Sequence, residues 1–327
     1  MVLLDIVLLA AGFVALIKGA DLFVDGSAAL ARLFKVPGVI VGLTVVAMGT
    51  SAPELAVSVS AALQGSNEIA LSNVIGSNMF NLLMVLGICS MIHKVPVDDK
   101  ILKRDFPINI LVTIFILISV GFNAIPAITG STPVAMNSPV GTAGRLMGII
   151  LLAVFVAYMV SLIVDAKKNP EKQEDEIKNY PLVKCLIFIV IGIALIVGGG
   201  QAVVYSAKEI ARIAGMSETL IGLTIVAVGT SLPELVTSIV AAGKGETGMA
   251  VGNVVGSNIF NLMLILGTSS AIHPMAVNLE TVFDLAILTV ITVITYICSM
   301  RGKSIKRGEG IVMVALYIAS MVFAALR

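Results

Sequence analysis

The sequence contains two copies of one apolar motif, separated by 180 residues. The first copy reads GLTVVAMGTSAPEL followed by NVIGSNMFNL, and the second reads GLTIVAVGTSLPEL followed by NVVGSNIFNL. Residues 42–87 and 222–267 share 26 identities in 46 positions. The shared residues include Gly, Thr, Ser, Pro, Glu and Asn, whereas chance similarity between apolar helices would be confined to Leu, Val and Ile. The chain is therefore an internal duplication, and its fold must be built from two equivalent halves.

The composition predicts that both halves lie in a lipid bilayer. Of the 327 residues, 58% are hydrophobic and 13% are charged, with a mean hydropathy of +1.05. Soluble proteins carry about 25% charged residues, because their surface must be solvated. The net charge of +1, without a long basic run, argues against nucleic-acid binding. Three scattered cysteines with no CxxC spacing indicate neither a disulfide framework nor a zinc site. We infer a polytopic membrane protein.

Ten transmembrane helices are predicted, because a spanning helix needs about 20 mostly apolar residues. Asp5 stands where a signal peptide would carry positive charge, so we expect the first helix to be a span. The stretch from Ile125 to Thr142 is compatible with a re-entrant turn or with a plain loop. The predicted helices lie near residues 2–33, 37–64, 69–92, 106–126, 143–165, 182–212, 217–242, 249–272, 281–300 and 309–326.

The distribution of positive charge predicts the orientation. The connectors after the odd-numbered helices carry sixteen Lys and Arg residues, whereas the opposite side carries four. Cytoplasmic loops are enriched in Lys and Arg. We therefore expect both termini on the non-cytoplasmic side of the cell (inner) membrane.

Each half contains five predicted helices, and an odd number makes the second half enter the bilayer upside down. The expected organisation is a first repeat (1–165), a cytoplasmic linker (166–181) and a second repeat (182–327). Inverted repeats with interrupted helices near the midplane are typical of secondary transporters. The predicted fold is thus an all-α integral membrane protein of two inverted five-helix repeats, with the second and seventh helices broken.

Glu54 and Glu234 lie mid-way along the second and seventh predicted helices. A carboxylate there costs about 2.5–3.5 kcal/mol or more, so it usually faces a cavity or a partner. Neither helix has Lys or Arg in its core, which makes a bound cation the natural counter-charge. Pro53 and Pro233 each remove a backbone donor, so the breaks free carbonyl oxygens beside the carboxylates. A buried polar pair that only fixes helix packing is the alternative.

The motif places further oxygen donors beside each carboxylate. Helical spacing puts the first set on one face, and the following helices carry Ser and Asn four residues apart. Oxygen ligands suit Na⁺, Ca²⁺ or Mg²⁺ rather than Zn²⁺. Two carboxylates neutralise one divalent ion, and several monovalent ions would refill the same site, which is what an exchanger requires. The donors are Ala47, Thr50 and Ser51 with Glu54; Thr230 and Ser231 with Glu234; and the pairs Ser77/Asn81 and Ser257/Asn261. Hydrogen bonding between helices is the alternative role for the Ser and Asn pairs.

The motifs GTSAPE with GSNMFN, and GTSLPE with GSNIFN, closely resemble the two alpha-repeats of the sodium/calcium exchanger family, within the cation/calcium antiporter superfamily. The resemblance covers both repeats and, through the ten-helix layout, essentially the whole chain. It is greatest to the compact prokaryotic members, since no large domain fills the loop 166–180. The resemblance implies an antiporter rather than an enzyme, which exchanges Na⁺ for Ca²⁺ by alternating access and uses no cofactor.

The resemblance also implies a role for each donor. Potassium-dependent members carry an acidic residue at one of the two middle positions; both are Asn in this chain, so K⁺ co-transport is not expected. By motif position, Glu54 and Glu234 would bind Ca²⁺ with Thr50 and Thr230, flanked by Ser51 and Ser231. Ser77 and Ser257 would form Na⁺ sites with the carbonyls of Ala47 and Ala227. Asn81 and Asn261 would line the middle of the site.

Three other functions stay open at this point. A Ca²⁺/H⁺ antiporter on the same scaffold would need Glu54 or Glu234 to titrate near the working pH. A passive cation channel would need no counter-ion, and a membrane scaffold would tolerate loss of the carboxylates. A nucleotide-driven pump is not supported, because the Lys of a phosphate-binding loop is missing from the stretch between Gly42 and Thr50. The sequence indicates no protein partner.

Overall fold

A computed structural model describes residues 2–65, 67–125, 135–136, 138–168, 180–215 and 227–326. Within these residues, seven helices are long and apolar enough to cross a membrane, and one bent helix pair adds an eighth. The other elements are shorter helices and four strands of two to five residues. The prediction of an all-α, multi-pass membrane protein is confirmed. The count of ten spans stays a prediction.

The helices follow one another through mostly short connectors. In the described residues they contain four π-helical turns, at 42–46, 80–85, 101–105 and 260–265. Such turns are rare in proteins, and those that do occur are often found at functional sites. In chain order the helices are α1 (Val2–Phe34), α2 (Gly38–Thr50), α3 (Ala52–Leu63), α4 (67–92), α5 (101–121), α6 (Arg145–Lys168), α7 (Leu182–Ile213), α8 (Ala227–Gly229), α9 (Leu232–Gly243), α10 (Thr247–Ile272), α11 (Leu279–Met300) and α12 (Arg307–Leu326).

The predicted spans agree with these helices to within about five residues wherever the structure describes them. Helix α6 continues to Lys168, three residues into the predicted linker, and Lys side chains in a last helical turn interact favourably with the helix dipole. Residues 169–179 of the linker lie outside the described part. So do residues 216–226, which include most of the first part of the predicted seventh span.

Both helices that carry a motif glutamate are interrupted just before it. Helices α2 and α3 meet at Ser51 with a bend of 51°. In the second half, α8 ends at Gly229 and α9 begins at Leu232. In each case a proline is the second residue of the new helix and has no N–H to continue the hydrogen-bond ladder. The structure therefore contains both predicted breaks.

Two short antiparallel ribbons connect the halves. Strand β1 (Val95–Pro96) pairs with β4 (Ser304–Ile305), and β2 (Pro139–Ala143) pairs with β3 (Met275–Asn278). Strand β2 lies in the stretch for which the sequence offered a re-entrant turn or a plain loop. Residues 126–134 and 137 of that stretch lie outside the described part. Each ribbon thus joins a connector of one half to a connector of the other.

The long helices α1 and α7 pack against each other through close contacts at glycines. A methyl group at Gly12 would lie 2.9 Å from the carbonyl oxygen of Gly199, and one at Gly19 would lie 2.9 Å from that of Gly192. Small residues allow such close backbone approach between helices in a membrane. The apolar residues of this pair form a cluster separate from the main core, with contributions from α2, α9 and α10.

Candidate cation site

Glu54 and Glu234 lie in the first turns of α3 and α9, immediately after the two breaks. Both residues are fully buried. The N-terminal end of a helix carries a partial positive charge that favours a carboxylate there. The breaks therefore place each glutamate at a helix start in the interior of the protein.

A reciprocal pair of hydrogen bonds joins the two halves at this point. Ser51 Oγ donates to Glu234 Oε1 at 2.8 Å, and Ser231 Oγ donates to Glu54 Oε1 at 3.2 Å. The serine that ends each first segment thus binds the glutamate of the other half. The second carboxylate oxygen of both glutamates has no hydrogen-bond partner among the described residues. One oxygen of each carboxylate is fixed, and the other is available to a ligand.

The two π-helical turns that contain Asn81 and Asn261 pack across the halves. Helix α3 contacts the turn at 260–265, and α9 contacts the turn at 80–85. Asn261 Nδ2 donates to Asn78 Oδ1 at 3.0 Å, which leaves Asn261 Oδ1 without a partner in the described part of the chain. Neither polar atom of the fully buried Asn81 has a described partner. Both amides therefore present free oxygens between the helices that hold the carboxylates.

Helices α4 and α10 cross at a symmetric amide contact. Asn78 Nδ2 donates to the Asn258 carbonyl, and Asn258 Nδ2 donates to the Asn78 carbonyl, both at 3.3 Å. Ser77 and Ser257 immediately precede these residues. Ser257 Oγ lies 3.5 Å from Glu234 Oε1, at the outer limit of a hydrogen bond, and Ser77 Oγ has no partner among the described residues.

The threonines of the two halves differ in their surroundings. Thr50 is fully buried, and its hydroxyl lies 3.1 Å from the Val46 carbonyl and 3.0 Å from Asn253 Oδ1. Thr230 is half-buried, and its hydroxyl has no partner among the described residues. The two threonines occupy the same position of the repeat, but they differ in burial and in the hydrogen bonding of their hydroxyls.

The backbone at the two predicted alanine ligands also differs. The Ala47 carbonyl accepts from Ser51 N at 3.0 Å, and the Thr50 hydroxyl lies 3.4 Å from the same oxygen. In the second half, Ser231 N donates instead to the Val228 carbonyl at 3.2 Å. Ala227 begins the short helix α8, and its side chain lies outside the described part.

Four residues that the sequence analysis did not single out support the site. Asn73 Nδ2 donates to Ser58 Oγ at 2.9 Å and lies 3.4 Å from the Glu54 carbonyl. Asn253 Nδ2 makes the same contacts with Ser238 Oγ and the Glu234 carbonyl, at 2.9 and 3.4 Å. All four are identical between the two copies of the motif, and that identity was the signal that could have found them.

The unpartnered atoms indicate the chemistry of the site. Among them are two carboxylate, two hydroxyl and two amide oxygens, from Glu54, Glu234, Ser77, Thr230, Asn81 and Asn261. An unsatisfied buried polar group costs about 1–3 kcal/mol, and a charged group costs more. A hard cation would satisfy carboxylate, hydroxyl and amide oxygens together. The residues therefore fit Na⁺ or Ca²⁺ as a transported ion.

Comparison with known proteins identifies the family. The sequence matches the family described as "Sodium/calcium exchanger protein" over residues 4–164 and 184–326. The chain belongs to this family. The exchanger family consists of transporters rather than enzymes, and its members carry Na⁺ and Ca²⁺ without a cofactor.

Two curated relatives match over nearly their whole length. The protein CaxA of Alkalimonas amylolytica is 36% identical over 318 residues, which cover 94% of this chain and 94% of CaxA. The sodium/calcium exchanger MaX1 of Methanosarcina acetivorans is 31% identical over 346 residues, which cover 98% of this chain and 99% of MaX1. The chain is thus of the compact prokaryotic exchanger type.

A solved structure shows the same architecture. The sodium-calcium exchanger NCX_Mj, soaked with zero Na⁺ and Ca²⁺, superposes with a TM-score of 0.82 at 30% identity, covering 98% of this chain and 99% of that chain. This match and the family membership show a cation/Ca²⁺ antiporter.

Proposed function

We propose that this protein exchanges Na⁺ for Ca²⁺ across the membrane by alternating access. The reciprocal Ser51–Glu234 and Ser231–Glu54 hydrogen bonds carry the proposal, because they bring two buried carboxylates from opposite halves to one place. Two carboxylates balance one Ca²⁺ or two Na⁺. The exchanger MaX1 and NCX_Mj, whose names state Na⁺ and Ca²⁺, support this choice of ions.

The cations would bind between the second, third, seventh and eighth predicted helices, which correspond to α2/α3, α4, α8/α9 and α10. The free oxygens of Glu54, Glu234 and Thr230 are suited to a central Ca²⁺, with Thr50 completing the set. Na⁺ would be held on either side of this centre. Its proposed ligands are Ser77 and Ser257 with the carbonyls of Ala47 and Ala227. Ser51 and Ser231 flank the Ca²⁺ ligands, and Asn81 and Asn261 line the middle.

The proposed topology is two inverted five-helix repeats, residues 1–165 and 182–327, joined by the cytoplasmic linker 166–181 in the inner membrane. The strand pairing supports it. Strands β1 and β4 both lie in connectors that the positive-inside rule predicts to be cytoplasmic, whereas β2 and β3 both lie in connectors predicted to be outside. The pairings require that the two strands of each ribbon lie on one side of the membrane, as this topology predicts, and the positive charges alone give the orientation.

A Ca²⁺/H⁺ antiporter is the second candidate. One observation favours it: Glu54 and Glu234 are fully buried, and no Lys or Arg of the described residues forms an ion pair with either. Protons would neutralise these carboxylates as Na⁺ does. The coupling ion must therefore be determined directly.

The deciding experiment is Ca²⁺ uptake into proteoliposomes loaded with Na⁺ and diluted into choline medium. We expect uptake that requires the outward Na⁺ gradient and falls at least about 100-fold in Glu54→Gln and in Glu234→Gln, because removing one partner of a buried charge interaction costs about 3–5 kcal/mol. Glu280→Gln, in the first turn of α11, is the control and should transport normally. Uptake driven by a pH gradient without Na⁺ would support the proton-coupled alternative, and ungated ohmic flux would indicate a channel.

A further inference from the structure

One of the hydrogen bonds in which the two halves of the site differ is made by the motif threonine. Thr50 Oγ1 donates to Asn253 Oδ1 at 3.0 Å, which links the first half to the second. Their repeat mates, Thr230 and Asn73, make no such bond, since the Thr230 hydroxyl has no partner among the described residues. Every residue needed for the second bond is nevertheless present, because Thr, Asn and the supporting Ser occur in both copies.

Asn253 contacts two proposed ligands, Glu234 and Thr50, and fixes their relative positions. Its Nδ2 donates to Ser238 Oγ at 2.9 Å and lies 3.4 Å from the Glu234 carbonyl, while its Oδ1 accepts from Thr50. The amide of Asn253 therefore connects the backbone at Glu234, in the second half, to the hydroxyl of Thr50, in the first half. Asn253 is fully buried, so this relation is not shared with bulk water.

The bond is made at the end of a tightly closed contact between α2 and α10. A methyl group at Gly42 would lie 2.5 Å from the Met249 carbonyl oxygen, one at Gly252 would lie 2.5 Å from that of Val39, and one at Gly256 would lie 2.7 Å from Leu43 Cα. We call this contact, formed by Gly42, Gly252 and Gly256, the glycine seam. No ion or water passes between backbones at such distances.

The glycine seam separates the site from the predicted cytoplasm. It runs towards the connectors after α1 and after α9, both predicted to be cytoplasmic by their Lys and Arg content. Ion pairs join these ends: Arg32 Nη1 lies 3.2 Å from Glu246 Oε1, and Lys244 Nζ lies 2.7 Å from Asp25 Oδ1. In contrast, Asn73 is half-buried, and a methyl group at Gly76, the repeat mate of Gly256, would meet no atom of the described residues within 4 Å.

From these observations, and resting on the proposed function, we propose that Asn253 and Asn73 are alternating positioning residues. The Thr50–Asn253 bond forms in the state that is closed at the glycine seam. The equivalent Thr230–Asn73 bond forms in the state that is closed on the opposite side. Exchange of one bond for the other then links the side from which the site is accessible to the position of the ligand hydroxyls.

The test uses a thiol reporter in the glycine seam. Val39→Cys places a thiol at a residue that is 7% exposed, and a membrane-impermeant maleimide is applied from the cytoplasmic side of oriented vesicles. The native chain, with Cys89 and Cys185 buried and Cys298 half-buried, gives the background rate. Labelling reports opening of the seam and does not require transport. It is therefore distinguishable from failure of the Na⁺/Ca²⁺ assay.

We expect Asn253→Ala and Thr50→Val to raise the labelling rate about two- to tenfold, the population change that loss of one hydrogen bond allows. Asn73→Ala should lower it, because it destabilises the opposite state. Thr50→Ser keeps the hydroxyl and should label like the parent. The Thr50→Val/Asn253→Ala double variant should be no faster than either single variant, because both remove the same bond.

A purely structural role for the two asparagines would predict changes of the same sign in Asn253→Ala and Asn73→Ala. That result, or unchanged labelling in all variants, would overturn the proposal. If Asn253→Ala fails to fold, Thr50→Val compared with Thr50→Ser tests the same bond. Opposite labelling shifts in a protein without Na⁺-dependent Ca²⁺ flux would retain the alternating bonds and remove the proposed exchange reaction.

Discussion

The cation site and the α1–α7 pair arose from the same duplication, yet they have kept different residues. The segments that form the site share 26 of 46 positions, whereas residues 1–34 and 181–214 share only five of 34. Two of those five are Gly12, which matches Gly192, and Gly19, which matches Gly199. At each of these four glycines a Cβ would come within 3 Å of backbone atoms of the other helix.

The difference indicates what each region must do. The site needs particular oxygen atoms, so its side chains are the same in both halves. The helix pair needs close approach, so two of its contact positions keep glycine in both copies, whereas most other positions have different residues. Asp21 and Asp25, for example, are matched by Gln201 and Tyr205. We infer that α1 and α7 act as one packed unit beside the site rather than as a source of ligands.

The largest effect is expected from placing a side chain in the close contact between α1 and α7. Gly199→Leu would place Cβ 2.8 Å from the Gly12 carbonyl oxygen and from Leu16 N, where only backbone could yield. We expect destabilisation of about 3 kcal/mol, the upper end of the typical range for overpacking, or complete loss of folded protein. The measurement is thermal unfolding in detergent followed by circular dichroism, since the chain has no Trp.

The neighbouring glycine supplies a matched control for this prediction. Gly198 is exposed, and a Cβ there meets no atom within 4 Å. Gly198→Leu should therefore unfold at the same temperature as the parent or slightly above it. Equal destabilisation by both substitutions would show that the close glycine contacts between α1 and α7 do not stabilise the helix pair.

The next largest effect should come from the reciprocal serines, and it should be equal on both sides. Ser51→Ala and Ser231→Ala each remove the shortest hydrogen bond to a buried carboxylate oxygen, and only a 3.5 Å contact of Glu234 Oε1 with Ser257 Oγ remains among the described residues. Hydrogen bonds to charged groups contribute about 1.5–3 kcal/mol, so we expect Ca²⁺ affinity to fall about 10- to 100-fold in each variant. Titration calorimetry in detergent measures this. Ser60→Ala, at an exposed position of α3, is the control, and loss of affinity in only one of the two site variants would break the symmetry of the site.

Local patterns predicted the helices, the two breaks and the oxygen donors. Apolar runs of sufficient length mark the spans, and Pro53 and Pro233 mark the breaks because proline lacks the N–H of the ladder. The partners of the donors could not be predicted in this way. Helical spacing places Ser51 on the same face as Glu54, whereas its hydrogen bond goes to Glu234 in the other half. Spacing determines a face, and only tertiary packing determines which residue meets it.

Nonlocal contacts also explain what was missed. Asn73 and Asn253 reach back to the helices before them, across a turn whose geometry is not encoded in helical periodicity. Strand β2 contains Pro139 and Gly141, which are unfavourable in strands, and forms because β3 offers it a partner. The asymmetry between Thr50 and Thr230 could not be predicted at all, since the two copies have the same residues there.

That asymmetry predicts opposite effects for one substitution in the two halves. Gly256→Ala would bring Cβ to 2.7 Å from Leu43 Cα, whereas Gly76→Ala meets no atom of the described residues within 4 Å. We expect the first to cost about 1–3 kcal/mol through overpacking, and the second to stabilise by up to about 1 kcal/mol, since Ala is the better helix former. Thermal unfolding of both variants by circular dichroism gives the sign. Destabilisation by both would mean that the two sides of the site are equally closed.

The smallest effect is expected from the charges that only α1 carries. Lys244 Nζ lies 2.7 Å from Asp25 Oδ1 and 3.4 Å from Asp21 Oδ1, with side chains that are 30 to 46% exposed. Ion pairs of this exposure contribute about 0–1 kcal/mol, and salt near 1 M screens them, since the Debye length there is about 3 Å. Lys244→Gln should therefore lower the unfolding temperature slightly at low salt and not at high salt. Its Ca²⁺ affinity should stay within about fivefold of the parent, the factor that 1 kcal/mol allows. A tenfold or larger change in affinity would place these charges in the cation site, and α1 could then no longer be described as a packing element alone.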